Sequence, residues 1–468
     1  MNIPYRLQLQ RGIELREDGA DCLIGHREGR ALRCRQPGPG LRTLLHDLRQ
    51  GEQSAEQLIA SATAAEPAID ATRLYFLLAK LEAKHFLTYT LAAAGQAMAT
   101  LEPMAGGFRF DHSPPTGRWR WSRFACLRHE SEDMLAEGPL GHARVVLHDP
   151  RLCALVGLLA VPRNLDELAI ALPALAPELL AAAVSLLRNA GVVGTCDAAG
   201  QLAEETDAAL RHWEFHDLYF HSRSRSGRHA YPLGGTYRFK GELAHAPALK
   251  ASMSPLRTEL PRPTTAPVAA DFFAVLDARR SRRAPGVAAL TLTQLGEFLW
   301  WSARVQQHHP ADPQRPDSYE STLRPYPGGG AMHELELYLN ISRCSGLAPG
   351  LYHYDPLAHA LEYLAEAGDV QQALLQGAMN SSGLKQPPDV LITVASRFGR
   401  LAWKYEGVAY ALTLKNLGGL YQQMYLVATA LGLAPCALGA GNSDTFAQAT
   451  GLDYFAETAV GEFMLSAG

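Results

Sequence analysis

A cluster of cationic side chains in the second half of the chain has the composition of a phosphate-binding turn. Arg279, Arg280, Ser281 and Arg283 lie close together, directly after an apolar, helix-like stretch. Guanidinium groups bind phosphate oxygens through paired hydrogen bonds, and a serine hydroxyl adds a short donor. The alternative is a solvated basic helix end, which is a common stabilising arrangement. The embedded serine and the helix-breaking segment 284–286 favour phosphate binding.

A lysine and a tyrosine stand side by side ahead of the longest apolar stretch. Lys404 and Tyr405 precede residues Val408–Leu433, which predict a long helix leading to Leu438 and Gly439. An amine and a phenol in apolar surroundings are a candidate proton-transfer pair. Burial would lower the pKa of Lys404, because desolvation penalises the charged form, and the free amine could then act as a base. The alternative is a surface pair at a helix start, since lysine is usually solvated.

Two glycine segments could approach a ligand closely with their backbone. Pro327, Gly328, Gly329 and Gly330 stand shortly before residues 336–341, whose composition predicts a buried strand. Without a Cβ, such a loop can lie against a flat ligand, although an ordinary flexible loop is the alternative. The pair 438–439 could likewise offer backbone groups to a ligand, or could mark a helix stop. The Pro-rich segment 310–327 predicts a long loop that could form a lid or a substrate rim.

Composition excludes several classes of protein. The chain has 468 residues, of which 47% are hydrophobic, and its formal net charge is −4. This length predicts two or three domains, and the nearly balanced charge argues against a nucleic-acid partner. The seven cysteines are scattered. They form no CxxC pair, so neither a metal site nor a disulfide framework is predicted.

Three observations predict a cytoplasmic protein without a membrane partner. The start of the chain lacks the basic and apolar regions of a signal peptide, and the cysteine pattern fits a reducing compartment. The longest apolar stretch carries Lys415, Asn416, Gln422 and Gln423. A membrane span should not carry these polar residues so centrally. We therefore expect a core or subunit-interface helix.

Periodicity divides the chain into four parts. Residues 1–100 predict short strands followed by three helices, the last over 71–84, which is the order of a winged-helix module. Residues 118–200 repeat this order and predict a second, tandem module. Residues 201–268 predict a bridge followed by a Pro-rich linker, and residues 269–468 mix helices and strands in a catalytic domain. The predicted fold class is α+β.

Four segments of the predicted catalytic domain resemble, in order, the nitroreductase-like FMN oxidoreductases. Within these they look most like the SagB-type dehydrogenases, the azoline oxidases of ribosomal peptide biosynthesis. Arg279–Arg283 is similar to the family's phosphate turn, and Arg324–Glu336 looks like its loop beneath the flavin. Gly346–Tyr354 resembles the hairpin of the SagB branch, and Lys404-Tyr405 its Lys-Tyr pair. The N-terminal half resembles the tandem winged-helix modules, akin to peptide recognition elements, of longer azoline oxidases.

The resemblance implies a nitroreductase-like FMN fold and a role for each motif. FMN would be bound by the arginine–serine turn at its phosphate and by the two glycine segments at its ring. Lys404 and Tyr405 would be the catalytic residues for oxidation of a thiazoline or oxazoline to the aromatic azole. The implied partners are an azoline-containing precursor peptide, a second copy of the chain in a homodimer, and a cyclodehydratase. Gly328 departs from the family, which usually has Ser there, so a hydroxyl contact to the flavin is lost.

Two other functions are left open by the sequence. The first is an NAD(P)H-dependent nitro or quinone reductase of the same fold, which would need neither the N-terminal modules nor the Lys-Tyr pair. The second is a flavin-free peptide-binding scaffold, which would not need an intact phosphate turn. Purification distinguishes the scaffold from both enzymes, because a flavoprotein is yellow.

Overall fold

Alternating apolar residues and leucines at helical spacing build two compact units, Met1–Tyr231 and Pro232–Gly468. The computed structural model describes residues 5–26, 31–104, 106–263, 271–315 and 318–468. The unit boundary falls inside the predicted bridge and linker. Residues 201–231 therefore belong to the first unit and residues 232–263 to the second. Residues 264–268 of the predicted linker, the predicted domain start at 269, and residues 1–4 lie outside the described residues.

Strands and short helices alternate in the first unit. Its strands are β1 (Arg6–Leu9), β2 (Glu14–Asp18), β3 (Asp21–Gly25), β4 (Leu32–Cys34), β5 (Gln53–Ser54), β6 (Leu87–Ala93), β7 (Gln96–Pro103), β8 (Trp119–Trp121), β9 (Cys126–Glu130), β10 (Asp133–Glu137), β11 (Ala143–Leu147) and β12 (Val193–Thr195). Its helices are α1 (Pro39–Gln50), α2 (Ala55–Ala65), α3 (Ala71–Ala83), α4 (Pro150–Leu158), α5 (Leu165–Ala171), α6 (Pro177–Asn189), α7 (Ala203–Thr206) and α8 (Phe215–Arg223), with a 3-10 turn at Leu210–His212.

The two predicted modules share one sheet. Among the described residues this sheet has seven strands in the order β5-β1-β6-β7-β11-β10-β9, and the pairing of β7 with β11 joins the two halves. The helix predicted over 71–84 is confirmed as α3, and the three helices predicted for the second module are confirmed as α4, α5 and α6. Their leucines are buried because they recur every three or four residues on one face. The winged-helix assignment of each half stays a prediction.

The second unit is built on an antiparallel sheet. Its strands are β13 (Gly234–Gly235), β14 (Arg257–Glu259), β15 (Leu290–Thr291), β16 (Gln307–His309), β17 (Ser321–Leu323), β18 (Leu335–Ile341), β19 (Cys344–Ser345), β20 (Gly350–Asp355), β21 (Ala360–Glu366), β22 (Val390–Ser396), β23 (Tyr405–Glu406), β24 (Ala434–Leu438) and β25 (Thr458–Ser466). Its helices are α9 (Phe272–Ala278), α10 (Leu292–Ala303), α11 (Asp369–Ser382), α12 (Phe398–Ala402), α13 (Ala409–Ala430) and α14 (Ser443–Thr450), with a 3-10 turn at Gly329–Ala331.

Helices cover both faces of this sheet. In the described part of the chain the sheet has seven strands in the order β14-β21-β20-β18-β22-β25-β24. Leucines of α10 and α13 pack on one face, around Phe463, and apolar side chains of α11 and α14 pack on the other, around Tyr338. The strand predicted at 336–341 is confirmed as β18. This arrangement agrees with the predicted α+β class.

Three segments differ from their sequence predictions. The long helix ends at Ala430 and is followed by strand β24, so Leu438 ends a strand and does not mark a helix stop. The predicted loop 310–327 contains β17, which pairs with β16. The predicted Pro-rich linker supplies β14 to the edge of the sheet. Buried carboxylates explain this last difference, since Glu362 binds Ser252 and Arg257, and Glu457 binds Lys250.

Candidate active site

A buried arginine fixes the position of the Lys-Tyr pair. Arg400 of α12 is fully buried and lies shortly before Lys404. Its guanidinium donates to the backbone oxygens of Met332, Ala246 (2.5 Å) and Glu320 (2.8 Å). A buried guanidinium is stable only when its donors are paired, so these bonds hold three segments around the start of β23. No pattern in the sequence indicated this role.

Strand β23 carries Tyr405 and pairs with a segment from the start of the second unit. Gly235 lies opposite Tyr405 in the β13–β23 pair, and the backbone N–H of Tyr237 donates to Lys404 O over 3.0 Å. Thr236 Oγ1 donates to the Glu406 carboxylate over 2.9 Å. The predicted bridge segment is thus attached to the strand that holds the candidate catalytic residues.

Three tyrosines surround the Lys404 ammonium group. Lys404 Nζ donates to Tyr319 Oη over 2.6 Å, and it lies 5.4 Å from the ring centre of Tyr237 and 5.2 Å from that of Tyr405. Burial by itself lowers the pKa of Lys404, but the hydrogen bonds and the nearby phenol oxygens raise it more. The net pKa lies above the usual lysine value. The sequence-based expectation of a lowered pKa is therefore wrong, because it considered desolvation without the tyrosines.

The glycine segment lies directly against this pair. Gly330 has φ +59°, and a Cβ there would lie 2.6 Å from Tyr405 Oη and 2.9 Å from Lys404 Nζ. Tyr319 Oη donates to Gly330 O over 2.7 Å and so joins the loop to Lys404. A side chain at this position would displace Tyr405 Oη and Lys404 Nζ, so the loop and the pair form one site. Tyr319 lies in the segment 310–327, which the sequence predicts as a lid or substrate rim. That prediction was the only sequence feature that could have indicated a role for Tyr319.

Helix α13 supports the same loop from the other side. Gly329 N donates to Asn416 Oδ1 over 3.0 Å, and Asn416 Nδ2 donates to the buried Glu334 carboxylate over 3.0 Å. At Gly328 a Cβ would lie 2.8 Å from His333 Nδ1. A serine, which the family usually has here, would therefore require His333 to move.

The arginine–serine turn is attached to the opposite half of α13. Ser281 Oγ lies 2.8 Å from Tyr425 Oη, which accepts from Ala437 N over 2.8 Å, and Arg282 N donates to Pro435 O over 2.8 Å. The guanidinium of Arg279 lies 5.2 Å from the Tyr425 ring centre.

The guanidinium groups of this turn remain available to a ligand. No described carboxylate lies within ion-pair distance of Arg279, Arg280 or Arg283. The turn therefore offers unneutralised cationic groups at the edge of β24.

A cavity of about 360 Å³ lies at the far end of β24. Its walls come from α11, from the end of β24 and the following loop, and from β25. The lining includes Leu374, Asn380, Leu438, Gly441 and Glu462. Pro435, which holds the arginine turn, and Leu438, which lines the cavity, are about 10 Å apart along an extended strand. One ligand with a phosphate at one end and a ring system at the other could span this distance.

The predicted site residues thus form two groups. Pro327–Gly330 contacts Lys404-Tyr405, whereas Arg279–Arg283 and Leu438-Gly439 lie along β24. Asn416 reaches the first group and Tyr425 the second, and these two helical residues are roughly 14 Å apart along α13. The described residues show no hydrogen bond between the two groups. The sequence missed Tyr319, Tyr237, Arg400 and Glu462, and it singled out Asn416 only as a polar residue in an apolar stretch.

Two family matches cover most of the chain between them. Residues 276–465 match the nitroreductase family, and residues 119–230 match the family described as cyanobactin oxidase ThcOx. The chain is an oxidoreductase, and its nitroreductase match lies in the second unit. Both matches in one chain confirm the resemblance to the SagB-type dehydrogenases.

Two named relatives are similar to parts of this oxidoreductase. A protein of Methanocaldococcus jannaschii that is named as a nitroreductase is 28% identical over 166 residues, which are 36% of this chain and 77% of that protein. The microcin B17-processing protein McbC of Escherichia coli is 30% identical over 135 residues, which are 28% of this chain and 48% of McbC. The chain therefore spans about half the length of McbC.

Solved structures similar to the oxidoreductase include a nitroreductase of Ralstonia eutropha, with 19% identity and a TM-score of 0.37, covering 51% of this chain and 99% of that one. The E. coli microcin synthetase McbBCD complex with truncated pro-MccB17 has 22% identity and a TM-score of 0.33, covering 50% of this chain and 87% of that one.

Within the described residues, every helix is too short or too polar to cross a membrane.

Proposed function

We propose that this chain oxidises thiazoline or oxazoline rings in a ribosomally made peptide to the aromatic azoles, with FMN as its cofactor. The observation that carries the proposal is the placement of Lys404 and Tyr405 against the glycine loop, in a chain that combines nitroreductase and ThcOx matches. A general nitroreductase has no need for a lysine held in a set of tyrosines.

The residues along β24 fit FMN. Arg279, Ser281 and Arg283 would bind the phosphate. The two guanidinium groups have no carboxylate partner among the described residues, and the contact of Ser281 with Tyr425 holds the turn in place. The backbone of Leu438 and Gly439, at the end of β24, would contact the ring system. Bound FMN supplies the two-electron acceptor for the hydride that the peptide ring loses.

Formation of the azole also requires loss of a ring proton, and we assign this step to Lys404. Its Nζ atom accepts the proton when the side chain is a free amine. Tyr319 fixes the position of Nζ, and Tyr405 Oη, next to Gly330, can hydrogen-bond to the ring heteroatom. Because the pKa of Lys404 is raised, only a small fraction of the enzyme has the free amine at neutral pH. The rate should therefore increase with pH.

The ThcOx match and the similarity to McbC, a protein named for processing a peptide, support a proposal for the substrate class and the partners. We propose an azoline-containing precursor peptide as substrate and a cyclodehydratase as the enzyme that makes the azoline. The N-terminal unit would engage the peptide, for which addition of a strand to a sheet edge is a common mode. The alternative is that this unit only braces the catalytic unit.

A homodimer is the proposed assembly. The outer face of α13 exposes Tyr410 and Leu414, and α9 exposes Phe272 and Phe273, the latter to 74%. Aromatic side chains exposed on two helices are costly in water and are typical of an interface. Since α9 leads into the arginine turn, this interface would adjoin the FMN phosphate.

Mass spectrometry of an azoline peptide incubated with the purified chain tests the function. We expect loss of two hydrogens for each ring, in a yellow protein. Oxidation of NAD(P)H with nitro or quinone compounds, without any mass loss from the peptide, would instead support the reductase alternative. A colourless protein that binds peptide would support the scaffold.

A further inference from the structure

The glycine loop, Pro327–Gly330, leads into a backbone segment with unusual torsion angles. Gly330 (φ +59°), Ala331 (φ +55°) and His333 (φ +43°) all lie in the left-handed region. Residues other than glycine adopt this region rarely, and such a conformation persists only where the surrounding structure holds it. The contacts that hold this segment are therefore part of the site that it forms with Lys404.

Asn416 of α13 holds the loop and is itself bound by a buried carboxyl group. Its Oδ1 atom accepts from Gly329 N over 3.0 Å, and its Nδ2 atom donates to the two carboxyl oxygens of Glu334 over 3.0 and 3.2 Å. Glu334 is fully buried, and Asn416 is 6% exposed. A backbone N–H can only donate, so Oδ1 must face Gly329 and Nδ2 must face Glu334. The carboxyl group thus fixes the orientation of the amide that binds the loop.

The next residue of the same loop is connected to the candidate base through Tyr319. Tyr319 Oη donates to Gly330 O over 2.7 Å and accepts from Lys404 Nζ over 2.6 Å. Because Gly329 and Gly330 are adjacent, a movement of Gly329 also moves the acceptor that Tyr319 uses. Hydrogen bonds and one short stretch of backbone therefore connect Glu334 to Lys404.

We propose that Asn416 and Glu334 are positioning residues that hold the candidate base, Lys404, in place through the glycine loop. This inference rests on the proton-transfer role proposed for Lys404. No described hydrogen bond or ion pair joins either side chain to Lys404, so both act through the loop and Tyr319. The arrangement requires a donor on one side chain and an acceptor on the other, and this requirement can be tested by exchanging them.

The charged groups around Glu334 do not replace its contact with Asn416. Burial raises the pKa of Glu334, and Asn416 and the guanidinium groups of Arg400 and Arg324 oppose this effect. In the described part of the chain, Asn416 is the only side chain that hydrogen-bonds to this carboxyl group. The groups that face the Lys404 amine are the phenols of three tyrosines, Tyr319, Tyr405 and Tyr237.

An exchange of donor and acceptor tests the proposal. Glu334→Gln keeps an acceptor for Asn416 Nδ2 and should behave like the parent. Asn416→Asp places two carboxylates against each other at alkaline pH, and their repulsion should release the loop. In the double variant Glu334→Gln/Asn416→Asp, the new amide donates to the new carboxylate, which still accepts from Gly329 N. This variant should restore the behaviour of the parent.

The measurement is the acylation of Lys404 by a small reagent, followed by mass spectrometry from about pH 8 to 10 in the full chain. Lys385, at an exposed position of the same chain, is the internal reference. The hydrogen bond to Tyr319 raises the pKa of Lys404, so release of the loop should let this pKa fall toward its ordinary value. We expect Asn416→Asp to increase the relative acylation of Lys404 by roughly three- to tenfold.

Two further measurements separate this role from a general loss of structure. In the Tyr319→Phe background, Asn416→Asp should cause no additional change, because the connection to Lys404 is already broken. Hydrogen exchange of the parent requires no variant. The Gly329 N–H should exchange slowly, because it is bonded to an amide that a buried carboxyl group fixes.

Several results would overturn the inference. They are unchanged acylation of Lys404 in Asn416→Asp, a double variant that reacts like Asn416→Asp, an additional change in the Tyr319→Phe background, or fast exchange of the Gly329 N–H in the parent. Each of these can occur in a parent that still forms azoles, so the proposed function would survive. A parent that forms no azole would overturn the proposed function, and with it the proton-transfer role, whatever the acylation rates.

Discussion

Lys404 Nζ donates a 2.6 Å hydrogen bond to Tyr319 Oη, and that hydroxyl donates to the backbone oxygen of Gly330. One phenol thus connects the candidate base to the glycine loop. The contact orients the amine, and it also raises the pKa of Lys404. The Tyr319 hydroxyl therefore influences both the position of Lys404 Nζ and its proton affinity.

Replacement of the candidate base should remove azole formation without removing the cofactor. Lys404→Ala should lower the rate by roughly a hundredfold or more, which is typical for loss of a general base. Tyr405→Phe should lose less, because the ring remains. The measurements are flavin absorbance and the mass of the azoline peptide. Lys385→Ala, at an exposed position after α11, is the matched control. A flavin-loaded Lys404→Ala enzyme with the parent rate would exclude Lys404 from the mechanism.

Removal of the Tyr319 hydroxyl should shift the pH profile of the reaction. The rate should rise as pH increases toward the pKa of Lys404, because only the free amine accepts a proton. The hydrogen bond to Tyr319 raises that pKa, so Tyr319→Phe should move the rising limb to lower pH. The rate at saturating peptide and the pH dependence of Lys404 acylation provide two independent readouts. Identical profiles in the parent and Tyr319→Phe would contradict the role assigned to this contact.

Loss of a phosphate contact should weaken FMN binding and leave the ring contacts intact. Arg283→Ala should lower FMN affinity by roughly ten- to a hundredfold, which is the usual effect of losing one charged partner. Its affinity for riboflavin should not change, and this serves as the internal control. Ser281→Ala should have a smaller effect, because the Ser281 hydroxyl also contacts Tyr425. FMN binding at the parent affinity in Arg283→Ala would place the phosphate elsewhere.

A charge on the exposed face of α9 should disrupt the proposed dimer. Phe273→Asp places a carboxylate where an apolar contact would be, so the chain should sediment as a monomer with weakened FMN binding. Glu297→Asp is a conservative change on α10 and should leave the assembly unchanged. A parent that is a monodisperse monomer and fully loaded with FMN would rule out the shared-site dimer.

The N-terminal unit should affect recognition of the peptide more than chemistry. A chain that begins at Pro232, the observed unit boundary, should bind the full precursor peptide more weakly. It should retain turnover of a short azoline peptide, provided that it stays folded and yellow. Equal affinity of both chains for the precursor would support the bracing alternative.

The sequence by itself determined the elements whose patterns are local. The apolar spacing of α3 and α13 and the composition of β18 were sufficient to predict these elements, because burial follows from residue order alone. The arginine–serine turn and the Lys-Tyr pair were recognisable for the same reason. The functional groups of each motif belong to residues that are adjacent or nearly adjacent in the chain.

Only the tertiary structure decided which of these motifs meet and how they behave. Lys404 acquires its raised pKa from Tyr319, which is 85 residues away in the chain, and from Tyr237, which is more distant still. No sequence pattern distinguishes Glu462 from other strand residues. Only the position of β25 in the sheet brings its carboxyl group beside Gly441 and the cavity. A pKa depends on neighbours in space, whereas sequence periodicity reports only whether a position is buried.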